Sequence, residues 1–139
     1  MRVVLVHGTF DLLHLGHVRL FKEAAKLGRV VVTITADKYV TKRRPVFNQE
    51  QRAEMIRECR SVSEVHIIDE ATGISAINRT RPSLYVKGGD YDGAINGTLA
   101  LEKKAVERLG GSLRIIKNEH EWHSSVLLSG KALNDAHAE

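Results

Sequence analysis

A glycine-bearing segment between an apolar run and a helical pattern constrains the fold of this chain more than any other feature. The segment spans residues 8–17, with the sequence GTFDLLHLGH, and it directly follows the apolar run VVLV at 3–6. Apolar residues then recur at helical spacing between Val18 and Ala25. A strand, a glycine turn and a helix in this order form the unit that holds phosphates in α/β sheets, because the helix N-terminus supplies N–H groups and a partial positive charge.

The segment also carries two histidines, His14 and His17. In a helix that begins near Leu15, residues three apart lie on one face, so we expect His17 to lie below His14. Gly16 has no side chain that would block a phosphate from the first turn. Two imidazoles placed in this way can donate hydrogen bonds to phosphoryl oxygens. Two surface histidines or a metal-binding pair are the alternatives, and the metal is the weaker one because no Cys or Glu lies nearby at ligand spacing.

Apolar runs and helical patterns alternate along the whole chain. Strands are predicted at 3–6, 30–35, 64–68, 83–86 and 112–116, and helices at 15–27, 49–59, 73–78, 100–109 and 124–133. Strands separated by helices favour right-handed βαβ connections. We therefore predict an α/β fold in one domain over residues 1–139, a single Rossmann-like, doubly wound parallel sheet of about five strands with helices on both faces.

Composition narrows the class of protein. No apolar stretch approaches the ~20 residues of a membrane span, and the N-terminal apolar run is too short for a signal peptide. The single cysteine, Cys59, rules out an internal disulfide and falls in a helical pattern typical of a buried structural thiol. We expect a cytoplasmic protein without membrane contact. The net charge of +4 suits a polyanionic substrate as well as nucleic acid, so it separates neither.

A basic loop follows the second predicted strand. Four cations fall within the seven residues 38–44, and such a loop lies at the same sheet edge as the segment 8–17. The loop can clamp a triphosphate and a second phosphate. A solvated basic loop is the alternative, and Arg43 and Arg44 can equally face solvent.

Two later segments also follow strands or begin helices. Residues 87–91, KGGDY, follow the strand at 83–86, and their glycines let the backbone approach a ligand, with Asp90 placed to receive a hydrogen bond from a ribose or base. Residues 122–128, WHSSVLL, put Ser124 and Ser125 at a predicted helix start, where hydroxyl and N–H groups hold phosphates. A tight turn and a simple N-cap are the respective alternatives. Trp122 is either a core residue or a wall of the site.

Residues 8–17 resemble the signature of the cytidylyltransferase-like nucleotidyltransferases, which share a His-x-Gly-His element, and the resemblance extends over residues 1–131. The string at 82–91, PSLYVKGGDY, resembles the adenylyltransferase domain of bacterial ADP-heptose synthases, whereas glycerol-3-phosphate cytidylyltransferases usually lack KGGDY here. The chain departs from the family pattern at His123, where Ser or Thr is more common, and at Val126, where Lys or Asn is more common.

The resemblance implies a reaction in which the phosphate of an acceptor attacks the α-phosphate of a nucleoside triphosphate and pyrophosphate leaves. It implies catalytic roles for His14, His17 and Lys42. Nucleotide binding is implied for Gly8, Thr9, Phe10, Gly16, Lys87, Gly88, Gly89, Asp90, Ser124 and Ser125. Acceptor binding is implied for Asp11, Arg52 and Tyr91. Mg²⁺ is expected with the triphosphate, bound mainly through its oxygens.

The sequence leaves the substrates open. ATP and CTP both remain candidates, and the acceptor is a sugar phosphate such as heptose 1-phosphate or, as the alternative, glycerol 3-phosphate or another small alcohol phosphate. A non-catalytic nucleotide- or RNA-binding module is a remote alternative, since the chain has few aromatic residues for base stacking. No nucleic-acid partner is therefore expected. Small members of this family commonly pair, so a homodimer is expected.

Overall fold

The computed structural model describes residues 2–89 and 95–117 of the chain. Within those residues the elements are β1 (Val3–Gly8), α1 (Leu15–Ala25), β2 (Arg29–Thr35), α2 (Gln49–Arg57), β3 (Glu64–Ile68), α3 (Ile74–Thr80), β4 (Leu84–Gly88), α4 (Gly97–Arg108) and β5 (Ser112–Ile116). A short 3₁₀ turn, Asp37–Tyr39, follows β2. The predicted helix at 124–133 and the predicted site residues Asp90, Tyr91, Ser124 and Ser125 lie outside the described residues, as do Trp122 and His123.

The five strands form one parallel sheet in the order β3-β2-β1-β4-β5. The chain runs outward from β1 through β2 to β3, then returns to the other side of β1 and runs outward through β4 to β5. This is the doubly wound arrangement that the sequence predicted, and it puts the reversal of strand order between β1 and β4. In open α/β sheets, ligands bind at such a reversal, outside the carboxyl ends of the strands.

Helices cover both faces of the sheet, which explains why the central strands are nearly continuous apolar runs. On one face, α1 and α2 contribute Phe21, Ala24, Ala53 and Ile56 to the core. On the other face, α3 and α4 contribute Ala76, Ile77, Leu99, Ala105 and Val106. Successive residues of each strand therefore point into different halves of the core, as the period of a strand requires.

Local signals fix the helix starts. Asn48 caps α2, with its side chain accepting a hydrogen bond from the Gln51 N–H at 2.9 Å. The helix predicted at 15–27 ends earlier, at Ala25, and the chain then passes close to Arg2 at Gly28, where a Cβ would collide with the Arg2 carbonyl oxygen. Among residues 2–89 and 95–117, no helix has the length and apolar character needed to cross a membrane.

Candidate active site

The sheet opens at its carboxyl edge between β1 and β4. Pairing of these two strands ends at Val6 and Val86. On either side the sheet stays paired further, to Gly8 with Ile34 and to Gly88 with Ile116. The resulting gap, called here the β1–β4 crevice, lies between the turn after β1 and the glycines that end β4. Two of the segments predicted to bind nucleotide therefore lie at the two sides of one crevice.

His14 and His17 form a reciprocal cap at the start of α1. The Nδ1 of His14 accepts a hydrogen bond from the Gly16 N–H at 3.1 Å, and the Nδ1 of His17 accepts one from the His14 N–H at 3.2 Å. The two rings stack with centroids 3.7 Å apart. The three-residue spacing thus brings the imidazoles together on one face, and two histidines occupy positions that Ser or Thr and Glu occupy in an ordinary capping box.

The cap also fixes the tautomer that each ring adopts when it is neutral. A neutral imidazole has one N–H and one acceptor nitrogen, and here each Nδ1 is the acceptor, so the proton of the neutral ring is assigned to Nε2. Burial, and secondarily the charge of His14, lower the pKa of His17 from 6.5 to about 3. At neutral pH, His17 is therefore an uncharged hydrogen-bond donor through Nε2.

The turn between β1 and α1 is shaped by Gly8 and Phe10. Phe10 is buried at a φ of 54°, and its ring meets the rings of His17 and Phe21 edge-on, at 5.2 and 5.3 Å between centroids. A Cβ on Gly8 would lie 2.9 Å from the Phe10 ring, which is too close. A side chain at this position would therefore displace the ring, and only glycine fits here. Phe10 therefore supports the histidine pair from inside the core, and its predicted contact with the nucleotide stays a prediction.

Asp11 fastens the basic loop to this turn. Its carboxylate is fully buried and accepts hydrogen bonds from the Val46 N–H at 2.7 Å and the Phe47 N–H at 3.3 Å. Arg43 donates to the same carboxylate at 3.1 Å and also to the Asp11 carbonyl oxygen. The sequence predicted an acceptor contact for Asp11, which stays a prediction, and gave no sign of this anchoring role, because Asp11 and Val46 are far apart along the chain.

Arg52 lies inside the protein, with 0% of its surface exposed. Its guanidinium donates to the carbonyl oxygens of Thr9 and Thr35, each at 2.9 Å, and to that of Phe47 at 3.0 Å. It also donates to the Asp37 carboxylate at 2.6 Å. Arg52 thus ties the ends of β1 and β2 to the loop before α2. The acceptor contact predicted for it is untested, and the structure adds this internal role.

The four cations of the basic loop have different surroundings. Arg43 contacts Asp11, and Lys38 forms an exposed ion pair with Asp69 at 2.8 Å. Lys42 and Arg44 are exposed to solvent. Lys42, the predicted catalytic cation, therefore lies on a loop whose far end is anchored at the turn after β1.

Two polar residues of the central strands have contacts that sequence reasoning did not give. His7 was not singled out, and the nucleotide contact predicted for Lys87 stays a prediction. His7 is 6% exposed, and its Nδ1 lies 2.8 Å from the Thr33 hydroxyl. Burial, and secondarily the charge of Lys87, lower the pKa of His7 from 6.5 to about 3. The Lys87 ammonium donates to the His7 carbonyl oxygen at 3.0 Å. A histidine inside an apolar strand was the available signal for His7, whereas nothing in the sequence shows the direction of Lys87.

Comparison with known proteins identifies the family to which this chain belongs. The cytidylyltransferase-like family model matches residues 5–127, nearly the whole chain. The chain therefore belongs to the cytidylyltransferase-like family, and its class, a nucleotidyltransferase domain, is the one the sequence predicted.

Two individual proteins show how this chain compares with its relatives. The bifunctional protein HldE of Koribacter versatilis is 38% identical over 120 residues, which cover 83% of this chain and 24% of that protein. HldE of Aliarcobacter butzleri is 37% identical over 117 residues, covering 79% of this chain and 25% of that protein. The chain thus spans about a quarter of the length of these relatives. Only one part of each relative corresponds to the fold described above.

Solved structures agree on the fold. The lipopolysaccharide core biosynthesis protein of Thermoplasma volcanium superposes with a TM-score of 0.68 at 27% identity, covering 86% of this chain and 97% of that one. Pantothenate synthetase of Thermus thermophilus superposes with a TM-score of 0.53 at 16% identity, covering 84% of this chain and 55% of that one. The second likeness concerns the fold alone.

Proposed function

We propose that this chain transfers a nucleotidyl group from a nucleoside triphosphate to the phosphate of a small acceptor. The acceptor oxygen forms a bond to the α-phosphorus, and the bond to the bridging oxygen breaks, so that pyrophosphate leaves. The observation that carries the proposal is the stacked His14–His17 pair at the N-terminus of α1, beside the open β1–β4 crevice. Negative phosphoryl oxygens are stabilised at such a helix start.

The chemistry asks for positioning and charge stabilisation, since the acceptor phosphate is already an anionic nucleophile. An imidazole suits this role, because its Nε2–H can donate a hydrogen bond to an oxygen whose charge grows in the transition state. The low pKa of His17, about 3, fits a donor of hydrogen bonds better than a group that takes up a proton. Lys42, exposed on the basic loop, is the proposed cation for the triphosphate.

The proposed nucleotide contacts lie on both sides of the crevice. Gly8, Thr9 and Gly16 belong to the turn and first helical turn, and Gly88 and Gly89 end β4. Gly89 has a φ of 145°, which favours glycine, and its N–H donates to the Ile116 carbonyl oxygen at 3.0 Å. Asp90, Ser124 and Ser125 for the nucleotide, and Asp11, Arg52 and Tyr91 for the acceptor, complete the proposed set.

Mg²⁺ is proposed to arrive with the triphosphate. In residues 2–89 and 95–117, no group of three His, Cys, Asp or Glu side chains could hold a metal ion. The Asp11 carboxylate beside the site already accepts bonds from Arg43 and two backbone N–H groups. The donor set therefore fits an ion carried mainly by phosphate oxygens, where it would neutralise charge on the leaving pyrophosphate.

For the substrates, we propose ATP and a sugar phosphate such as heptose 1-phosphate. The KGGDY string supports this choice, as do the HldE relatives and the structural neighbour named for lipopolysaccharide core biosynthesis. Residence in the cytoplasm and a homodimer, expected from the sequence, belong to the same proposal.

Pyrophosphate release measured over a panel of triphosphates and phosphorylated acceptors tests the proposal. ATP with a sugar 1-phosphate should give the highest kcat/KM. Highest activity with CTP and glycerol 3-phosphate would replace the substrate assignment while retaining the reaction. Absence of pyrophosphate release with every pair, from a folded protein, would overturn the reaction itself.

A further inference from the structure

A polar cluster, buried except for the half-buried Lys87, lies directly beneath the β1–β4 crevice, on the face of the sheet that α3 and α4 cover. It consists of His7, Gly73, Tyr85, Lys87 and Glu102. The Lys87 ammonium donates to the His7 carbonyl oxygen at 3.0 Å and lies 5.6 Å from the centre of the Tyr85 ring. The Glu102 carboxylate, 3% exposed, accepts a hydrogen bond from the Gly73 N–H at 2.7 Å.

The cluster is closely packed around Gly73. A Cβ on this residue would lie 2.5 Å from the Tyr85 hydroxyl oxygen and 2.6 Å from the Glu102 carboxylate. The N-terminus of α3 therefore approaches β4 and α4 as closely as a backbone without a side chain allows. This packing holds Glu102 in a fixed position, from which its charge acts on Lys87.

The bond from Lys87 to His7 spans the crevice at the point where strand pairing stops. Pairing of β1 with β4 ends at Val6 and Val86, one residue before His7 and Lys87. His7 is followed directly by the turn that carries the histidine pair, and Lys87 directly by the glycines at the end of β4. One side-chain hydrogen bond thus joins the two segments that form the walls of the candidate site.

The contribution of these charged groups to folding stability does not by itself explain why the cluster is present. Taking an ammonium and a carboxylate out of water is costly, and replacing buried opposite charges with uncharged groups of similar volume is often neutral or stabilising. Burial lowers the pKa of Lys87, and the opposing effect of Glu102 is the smaller one. Buried charged groups with perturbed pKa values, placed at a cleft, are candidates for a functional role.

We propose that Lys87 is a positioning residue for the nucleotidyl transfer, which sets the width of the β1–β4 crevice through the His7 carbonyl group, with Glu102 as its buried counter-charge. This inference rests on the proposed function. Lys87 acts from below the site and holds the turn with His14 and His17 at a fixed distance from the end of β4. Misplacement of a reacting group by about 1 Å can lower a rate on the order of 100-fold, so loss of this bond should act mainly on kcat.

Three variants test the inference in the full chain: Lys87→Met, Glu102→Gln and the double variant. Each single variant leaves either the buried Glu102 or the half-buried Lys87 without its counter-charge, so its Tm should fall. The double variant removes both charges and should recover most of that loss. Its kcat for pyrophosphate release should nevertheless stay reduced, on the order of 10- to 100-fold, with a much smaller change in KM for the triphosphate.

The exposed charges of α4 provide matched controls. Lys104→Met and Glu107→Gln make the same chemical changes at the surface, and both should leave Tm and kcat close to those of the unmodified chain. Recovery of both Tm and kcat in the double variant would overturn the inference, because it would leave the cluster a purely structural role. Unchanged kcat in Lys87→Met would do the same. Absence of turnover in the unmodified chain would instead show that the proposed function has failed, and the inference with it.

Discussion

Acidification should destabilise this protein through His7, by an amount that the structure sets. The ring is buried, and burial lowers its pKa from 6.5 to about 3 in the folded state. In unfolded chains the ring has its ordinary value, so between these two pH values the unfolded state binds a proton that the folded state does not. The stabilisation is fully present above the unfolded pKa and is lost as the pH falls towards the folded one.

The folded and unfolded pKa values of His7 give the magnitude of this loss of stability. Between about pH 7.5 and about pH 5, the unfolded ring becomes protonated while the folded ring stays neutral, which lowers the free energy of unfolding by about 2 kcal/mol. His7→Asn removes this titration and keeps a hydrogen-bonding amide close to the Nδ1 position that faces Thr33. The fall in the free energy of unfolding over this pH range should therefore be about 2 kcal/mol smaller in the variant.

Urea unfolding followed by circular dichroism at both pH values measures this difference. Any constant cost of the substitution cancels, because each protein is compared with itself. His66→Asn is the matched control, since His66 is exposed on neighbouring β3 and lies in register with Thr33. An equal pH dependence in the His7→Asn variant and the unmodified chain would refute the argument, as would an equal reduction in the control.

Three further perturbations follow from described contacts. His14→Asn keeps an N-cap but removes the Nε2 donor, so kcat for pyrophosphate release should fall on the order of 10²–10³-fold while Tm changes little; a normal kcat would remove His14 from the mechanism. Arg52→Met should lower the free energy of unfolding in urea by about 3–5 kcal/mol, because buried carbonyl oxygens and Asp37 lose their donor, whereas exposed Arg57→Met on the same helix should change it by less than about 0.5 kcal/mol. Gly73→Ala should cost about 1–3 kcal/mol in the same assay, since its methyl group would meet Tyr85 and Glu102, and unchanged stability would contradict the close approach.

Local sequence patterns predicted the fold well, because each helix or strand depends largely on residues that are close together in the chain. The strands predicted at 64–68 and 112–116 agree with β3 and β5, since runs of β-branched and other apolar residues between turn signals leave few alternatives. Spacing alone also predicted that His14 and His17 share one face at the start of α1, whereas it did not predict their reciprocal cap. The start of α4 was predicted too late, at residue 100, because Gly97 is a weak helix former and gave no helical signal.

The candidate site was less predictable, since long polar side chains can point either way from their backbone. Arg52 and Lys87 were assigned to ligands by motif, and those contacts stay predictions; the structure adds that Arg52 binds interior carbonyl groups and that Lys87 binds His7. Their partners, Thr9 and His7, lie 43 and 80 residues away in sequence, respectively. Only the three-dimensional arrangement decides whether such a cation meets a carbonyl group or a substrate.

The reciprocal cap of α1 has a consequence for protein design. Both rings take their orientation from main-chain N–H groups within residues 14–17, so the two donors are aimed by the backbone of a single helical turn. Catalytic histidines are more often oriented by a carboxylate from elsewhere in the fold, which must be transplanted with them. A strand, turn and helix start that reproduce residues 8–17 should therefore transfer a pair of oriented imidazole donors to another α/β scaffold as a single segment.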